Sequence, residues 1–395
     1  MPRFYDSQRN FYDLTQEIGR GGEGTVFYCP NDPALVAKIY HEPIDAEKSK
    51  KLRWMEENKD AHLFKVAAWV IDLLHDRAGN TVGFLMPNVR AKEIHELYSL
   101  KSRRVHFPEA NWQFLLHTAT NVARAFYVLH KNDHIMGDVN HGNCVVLADG
   151  TVKLIDCDSY SIKTDKMRYR CEVGVTTHLA PELQGIDLSE VEREKTHDNF
   201  GLAVIIFQLL FLGRHPFAGN YLGAEDKSLE DCIREWRFAY GNPAVTNVKQ
   251  PPGTLSLGQI SPRLARMFTS AFMTRNRPEA KEWIEALEDL SKNLTQCSVH
   301  IGHHYFNALA ACPWCEIEAK TGLLLFPFVS GKEFDNEFNI FTVEKLLAGL
   351  ETPQNLPAKP LKLSVYPPPS PEANKIYNQS VTAFIGLAAV ELFIV

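Results

Sequence analysis

Apolar and polar positions follow two different rhythms along this chain. Between residues 14 and 40 they alternate in short runs. Thr25-Val26-Phe27-Tyr28 and Leu35-Val36-Ala37-Lys38-Ile39-Tyr40 are rich in β-formers and bracket the turn Pro30-Asn31-Asp32-Pro33, which predicts an antiparallel start. A charged helix is expected at about 45–59, followed by two strands, Ala67 to Leu74 and Thr81 to Val89, joined by the turn from Asp76 to Asn80. Beyond Lys92 the rhythm changes. Trp112 to His130 repeats apolar residues at three and four, and Phe200 to Leu212 is apolar nearly all round, the mark of a buried helix. Two short strands, Cys144 to Leu147 and Thr151 to Ile155, turn at Asp149-Gly150 between those helices. The expected class is α+β: a small β-rich lobe over 1–90 and a larger helical lobe over 91–293. A Cys/His element over 294–320 follows, then an extension over 321–395 with a Pro-rich linker from Pro353 to Pro371.

Composition narrows the partners more than the fold. The 395 residues are 45% apolar and 23% charged, with a net charge of −6, which fits a folded globular chain. The one dense basic run, Lys48, Lys50, Lys51 and Arg53, reads as a solvated helix face, so nucleic acid is not an expected partner. No basic segment followed by an apolar run opens the chain, and the expected compartment is the cytoplasm. There the first five of the eight cysteines stay as small thiols. From Val381 to Val395 the tail is apolar apart from Glu391, short of the ~20 residues of a membrane helix. Docking on protein surface and a truncated membrane segment both remain open for it.

Candidate chemistry begins at Gly19-Arg20-Gly21-Gly22-Glu23-Gly24, where missing side chains let backbone N–H groups approach phosphate oxygens. A dinucleotide-binding turn would lead into a helix, whereas Thr25-Val26-Phe27 continues as strand. Lys38, on the next β run, is placed to hold nucleotide phosphates. Between Ile135 and Asp158 a short hairpin carries polar groups at both ends. Asp138, Asn143 and Asp156 there offer one carboxylate for an incoming hydroxyl and two oxygen ligands for Mg²⁺. Taken singly, such loop residues are ordinary turn formers.

Taken together they resemble a known family. Asp138 to Asn143 has the D-x-x-x-x-N spacing of the protein-kinase catalytic loop, and Asp156 falls where the kinase metal-binding Asp belongs. Ala180-Pro181-Glu182 resembles the A-P-E that closes the activation segment, Asp198 resembles the kinase αF Asp, and Arg277 resembles the late arginine that pairs with the A-P-E glutamate. The resemblance covers roughly 14–292 and implies a bilobal, eukaryote-like Ser/Thr protein kinase using ATP and Mg²⁺ on a protein substrate. It assigns Asp138, Lys38 and Asn140 to catalysis. Gly19, Gly21, Gly22, Gly24, Val26, Lys38, Glu47, Asn143 and Asp156 go to the nucleotide, with Asn143 and Asp156 on Mg²⁺. Glu47 is the expected partner of Lys38, ahead of Glu56 and Glu57.

The chain also departs from the pattern. Met136-Gly137 replaces the His-Arg before the catalytic Asp, Asn140 replaces the lysine two residues after it, and Asp156-Cys157-Asp158 replaces D-F-G. A nucleotide-binding pseudokinase scaffold and a small-molecule phosphotransferase are therefore the competing readings.

Cys312-Pro313-Trp314-Cys315 forms a C-x-x-C turn, preceded by Cys297, His300, His303 and His304. A tetrahedral zinc set of Cys297, His303, Cys312 and Cys315 is expected, with His304 the second choice of histidine and a redox pair the alternative. A kinase domain followed by such an element resembles bacterial eukaryote-like kinases, including those of tellurite-resistance-associated phosphorylation triads. That resemblance implies a von Willebrand A-type protein and a metal-dependent Ser/Thr phosphatase as partners.

Overall fold

The computed structural model describes residues 3–224 and 226–327. The Pro-rich linker and the apolar tail lie outside the described residues. The amino-terminal strands are β1 (Phe4–Tyr5), β2 (Phe11–Tyr12), β3 (Glu17–Arg20), β4 (Gly24–Tyr28) and β5 (Leu35–Tyr40). Helices α1 (Ala46–Glu57) and α2 (Ala61–Val66) precede β6 (Asp72–His75) and β7 (Thr81–Pro87). The strands form one antiparallel, seven-stranded sheet in the order β2-β1-β6-β7-β5-β4-β3. The turn between β6 and β7 is fixed by Asp76, whose Oδ1 accepts from the Ala78 and Asn80 amides.

Two expectations change in this lobe. The run from Ala67 to Leu74 is strand only from Asp72, because Ala67 closes α2 and the Ala68 amide donates to the Leu154 carbonyl at 2.8 Å. Those residues thread between the lobes. Trp69, fully buried there, donates from Nε1 to the Met55 carbonyl. Helix α2 was not expected at all; Asp60 caps it by accepting from the His62 and Leu63 amides.

The second lobe begins with β8 (Lys92–Glu93), α3 (Ile94–Tyr98), α4 (Leu100–His106) and α5 (Trp112–Lys131). Strands β9 (Cys144–Val146) and β10 (Val152–Leu154) pair as a hairpin, extended by β8. Helix α6 (Lys195–Leu210) is buried along Asp198 to Leu210 and packs against α5. Strands β11 (Asn220–Tyr221) and β12 (Val248–Lys249) pair around α7 (Leu229–Arg234) and α8 (Pro243–Thr246). Helices α9 (Pro262–Met273) and α10 (Ala280–Lys292) complete this lobe, α10 lying along α5. The two-lobed α+β architecture is the one the resemblance implies. Glu182 and Arg277 form a bidentate pair at 2.6 and 2.8 Å, with the Arg277 side chain wholly buried over Phe200. Among the described residues no helix is long and apolar enough to cross a membrane.

The chain then forms a hairpin, β13 (Leu294–Gln296) with β14 (His304–Phe306), and a last helix, α11 (Pro313–Thr321). This element sits on the start of α5. The Trp314 and Trp112 rings lie 5.3 Å apart, and the Arg103 guanidinium donates to the Leu325 carbonyl at 2.9 Å.

Three histidines are buried in neutral form. His134 stacks on Trp69 and accepts from the Lys163 amide; His215 accepts from the Phe217 amide at Nδ1; His178 lies beside both His141 and His215. Burial pushes His134 and His215 down to about 4 and His178 down to about 3, from an ordinary 6.5. In the unfolded chain they protonate near 6.5, so the stability they contribute is intact above that pH and is lost as pH falls toward 4. We expect the unfolding free energy from urea titrations to fall through this window, by about 1–3 kcal/mol per histidine, and His134→Phe to flatten part of the slope.

Candidate active site

The glycine turn between β3 and β4 arches over a cavity of about 550 Å³. Gly24 must be glycine, since a Cβ there would lie 2.6 Å from the Ile39 carbonyl oxygen on β5. Gly19, Gly21, Gly22, Gly24 and Val26 all line the cavity, as do Lys38, Asp138, Asn143 and Asp156. The walls away from these polar groups are apolar, with Val36, Ala68 and Met86 among them. A flat, apolar slot with polar groups converging at one end suits a nucleotide.

The loop carrying Asp138 hangs from α6. Asp198 accepts from the Met136 amide at 2.8 Å and the Gly137 amide at 2.9 Å, and its Oδ2 lies 2.9 Å from His130 Nε2. Gly137 takes φ +74°, and a Cβ there would meet Cys171 Sγ at 2.5 Å. Packing of Cys171 thus accounts for the glycine where the family pattern has an arginine. Asn143 donates from Nδ2 to the Asp138 carbonyl and to Asp138 Oδ2, at 3.1 and 3.0 Å. Asp138 Oδ1 is buried and has no hydrogen-bond partner among the described residues, so this carboxylate carries an unmet acceptor. With its amide nitrogen engaged, Asn143 keeps its carbonyl oxygen for other ligands.

Asn140 differs from expectation. It is buried, accepts from the Gly142 and Asn143 amides at Oδ1, donates to the Asp138 carbonyl, and does not line the cavity. Its short side chain closes the loop on itself instead of reaching toward a phosphate.

Lys38 is the second departure. Its ammonium is not paired with Glu47, Glu56 or Glu57; it donates to Asp156 Oδ1 at 2.6 Å and to Asp158 Oδ1 and Oδ2 at 2.7 and 2.9 Å. Asp156 has φ +60°, a left-handed conformation uncommon for a non-glycine residue. Asp158 is fully buried, and its Oδ2 also accepts from the Tyr40 hydroxyl at 2.7 Å. On α1 the buried residue facing this group is Lys51, which donates to the Asp158 carbonyl at 2.7 Å. Burial alone would depress the Lys38 pKa, but the Asp158 and Asp156 charges outweigh it and raise it. Burial likewise opposes ionisation of Asp158, and the Lys38 charge overrides it and keeps the carboxyl below the usual range. Glu47 lines a neighbouring polar cleft together with Lys48, Lys51, Asp158 and Glu172, without a hydrogen bond to Lys38.

Asp158, Lys51 and Tyr40 were missed as site residues. The signal was present: Lys48 and Lys51 share the α1 face marked as buried by Leu52 and Met55, opposite an unusual D-x-D.

Cys297, His303, Cys312 and Cys315 also come together. Sγ of Cys297 and Cys315 are 3.7 Å apart, and His303 Nδ1 lies 3.6 Å from Cys312 Sγ and 3.4 Å from Cys315 Sγ. His304 instead faces Asn111.

Comparison with known proteins agrees with this geometry. The protein kinase domain family matches residues 12–285, more than half of the chain. The chain belongs to the protein kinase family. It is similar to protein kinase YegI of Escherichia coli (strain K12), 39% identical over 333 residues, covering 82% of this chain and 51% of that protein. It also resembles the serine/threonine-protein kinase PknA of Corynebacterium glutamicum, 26% identical over 220 residues, covering 53% of this chain and 44% of that protein. The chain spans about half the length of the YegI relatives it matches.

Proposed function

We propose that this chain is a protein serine/threonine kinase that transfers the γ-phosphoryl of ATP to a protein hydroxyl. The observation that carries the reading is the convergence of Lys38, Asp138, Asn143 and Asp156 on one cavity under the glycine turn. The glycine turn and Lys38 bind the phosphates. Asp138, held by Asn143 and lining the cavity, is the carboxylate that accepts the hydroxyl proton. The hydroxyl oxygen bonds to the γ-phosphorus as the bond to the β–γ bridging oxygen breaks, and ADP leaves. Asn143 and Asp156 offer the amide and carboxylate oxygens that suit Mg²⁺, whose chemistry when bound is to neutralise phosphate charge. The segment from Asp156 to Glu182, tied down by Arg277, receives the protein substrate.

Two features favour a second reading, a scaffold that binds nucleotide without transfer. Asn140 is turned into its own loop, and Lys38 is engaged by two carboxylates. Incubation with Mg-ATP followed by mass spectrometry separates the two. We expect phosphate on serine or threonine of the chain or of a casein-type acceptor, with Asp138→Ala lowering the rate at least about 100-fold. Within the chain we expect it on exposed Thr176 before buried Ser161 or Thr164. Equal labelling by the Asp138→Ala chain contradicts the transfer reading.

The Cys/His element reads as a structural zinc site. Sulfur–sulfur and sulfur–nitrogen separations of 3.4–3.7 Å match the edges of a tetrahedron with Zn–S near about 2.3 Å. Glu318 lies 3.1 Å from His303 Nε2 and so orients Nδ1 toward the sulfurs. We expect about one zinc per chain by elemental analysis. Cys312→Ser with Cys315→Ser should remove the metal and lower the melting temperature, because Trp314 then loosens from Trp112. A metal-free chain with an unchanged melting temperature contradicts this. The cytoplasm remains the proposed compartment, and a von Willebrand A-type protein and a phosphatase remain proposed partners on resemblance alone.

A further inference from the structure

The two carboxylates on Lys38 are not equivalent. Asp156 lines the nucleotide cavity and its side chain is 38% exposed, whereas the Asp158 side chain is wholly buried and lies outside the cavity lining. A cation or phosphate entering the cavity competes for Asp156. Asp158 exposes no side-chain surface to that cavity. The anchor that stays with Lys38 once the cavity fills is therefore Asp158.

Asp158 is itself held on every side. Tyr40, two residues beyond Lys38 and on the same face of β5, donates to its Oδ2. Lys51 donates to its backbone carbonyl, and Lys48, one turn earlier on the same face of α1, brings its ammonium to 3.8 Å from Oδ2. Helix α1 thus presents cations, not an acid, to the group that holds Lys38. Lys51 is only 6% exposed, and its hydrogen bond to the Asp158 carbonyl ties α1 directly to the segment carrying Asp156.

We infer that Asp158 is the positioning residue for Lys38, and that Lys51 locks α1 to the metal-binding segment through it, so that the nucleotide site is assembled without an acid from α1. The inference rests on the nucleotide-binding part of the reading above. It does not require transfer. A helix whose buried ammonium would be stripped of its partner on moving away is a fixed wall of the site. In this chain α1 is a strut.

The test is Mg-ATP binding and KM for the full chain and its variants, with melting temperature alongside. Asp158→Asn should raise the Kd and KM for Mg-ATP about tenfold while leaving the KM for the acceptor protein unchanged, a split that general loosening does not produce. Asp158→Glu, which keeps the charge, should recover part of the loss. Where Asp158→Asn fails to fold, Tyr40→Phe removes one hydrogen bond from Asp158 and should raise KM about threefold. Nucleotide affinity of Asp158→Asn, or of Tyr40→Phe in its place, equal to that of the parent overturns the inference. So does a loss of affinity in Glu47→Gln instead. Binding without transfer by the parent chain sinks the kinase reading alone, since the Asp158 effect is still read on Kd. A parent chain that binds no Mg-ATP overturns both.

Discussion

A single buried cation sets the geometry of the site. The Lys38 ammonium, on the central face of the first sheet, is expensive to remove from water and is stable only because Asp156 and Asp158 meet it within 2.9 Å. That requirement draws the segment after β10 against β5 and places Asp156 at the cavity edge. It also gives buried Lys51 a backbone acceptor. Strand β5, helix α1 and the segment carrying Asp156 and Asp158 are consequently one electrostatic unit, and loss of Asp158 leaves buried Lys38 without its buried counter-charge.

The other half of the site depends on a second buried carboxylate. Asp198, in the first turn of buried α6, holds the backbone of Met136 and Gly137 by accepting hydrogen bonds from their two amides. Asp138 follows directly, so its position is inherited from α6. Cys171 fills the place beside Gly137 that a larger side chain would need. The Cys/His element reinforces the same lobe from outside, through Trp314 on Trp112 and Trp112 Nε1 on the Leu210 carbonyl at the end of α6.

Much of this was legible in the sequence where spacing alone carries the chemistry. The interval from Asp138 to Asn143, the strand position of Lys38 and the C-x-x-C turn are local patterns whose geometry is set by a few neighbouring residues. His303, preferred for its His-x-Tyr register with Tyr305, lies just before β14, whose first residue His304 faces Asn111 instead. What was not legible depends on competition between distant groups. Glu47 is the acid the resemblance offers to Lys38, at the border of the α1 face marked by Leu52 and Met55. Here Asp158, reached only after the chain has crossed between lobes, is nearer and better buried. Asn140 was read as a donor to phosphate, but its short amide satisfies two loop N–H groups first. The run from Ala67 resembled a strand by composition and became a connector because Leu154 offered its backbone an acceptor.

The most direct test is a crystal structure of this chain with Mg²⁺ and a non-hydrolysable ATP analogue. The account predicts phosphates under the glycine turn, Asp156 and Asn143 on the metal, and Lys38 within hydrogen-bond reach of both a phosphate and Asp158. A complex in which Lys38 has left Asp158 for Glu47, or in which the cavity stays empty at saturating nucleotide, contradicts it.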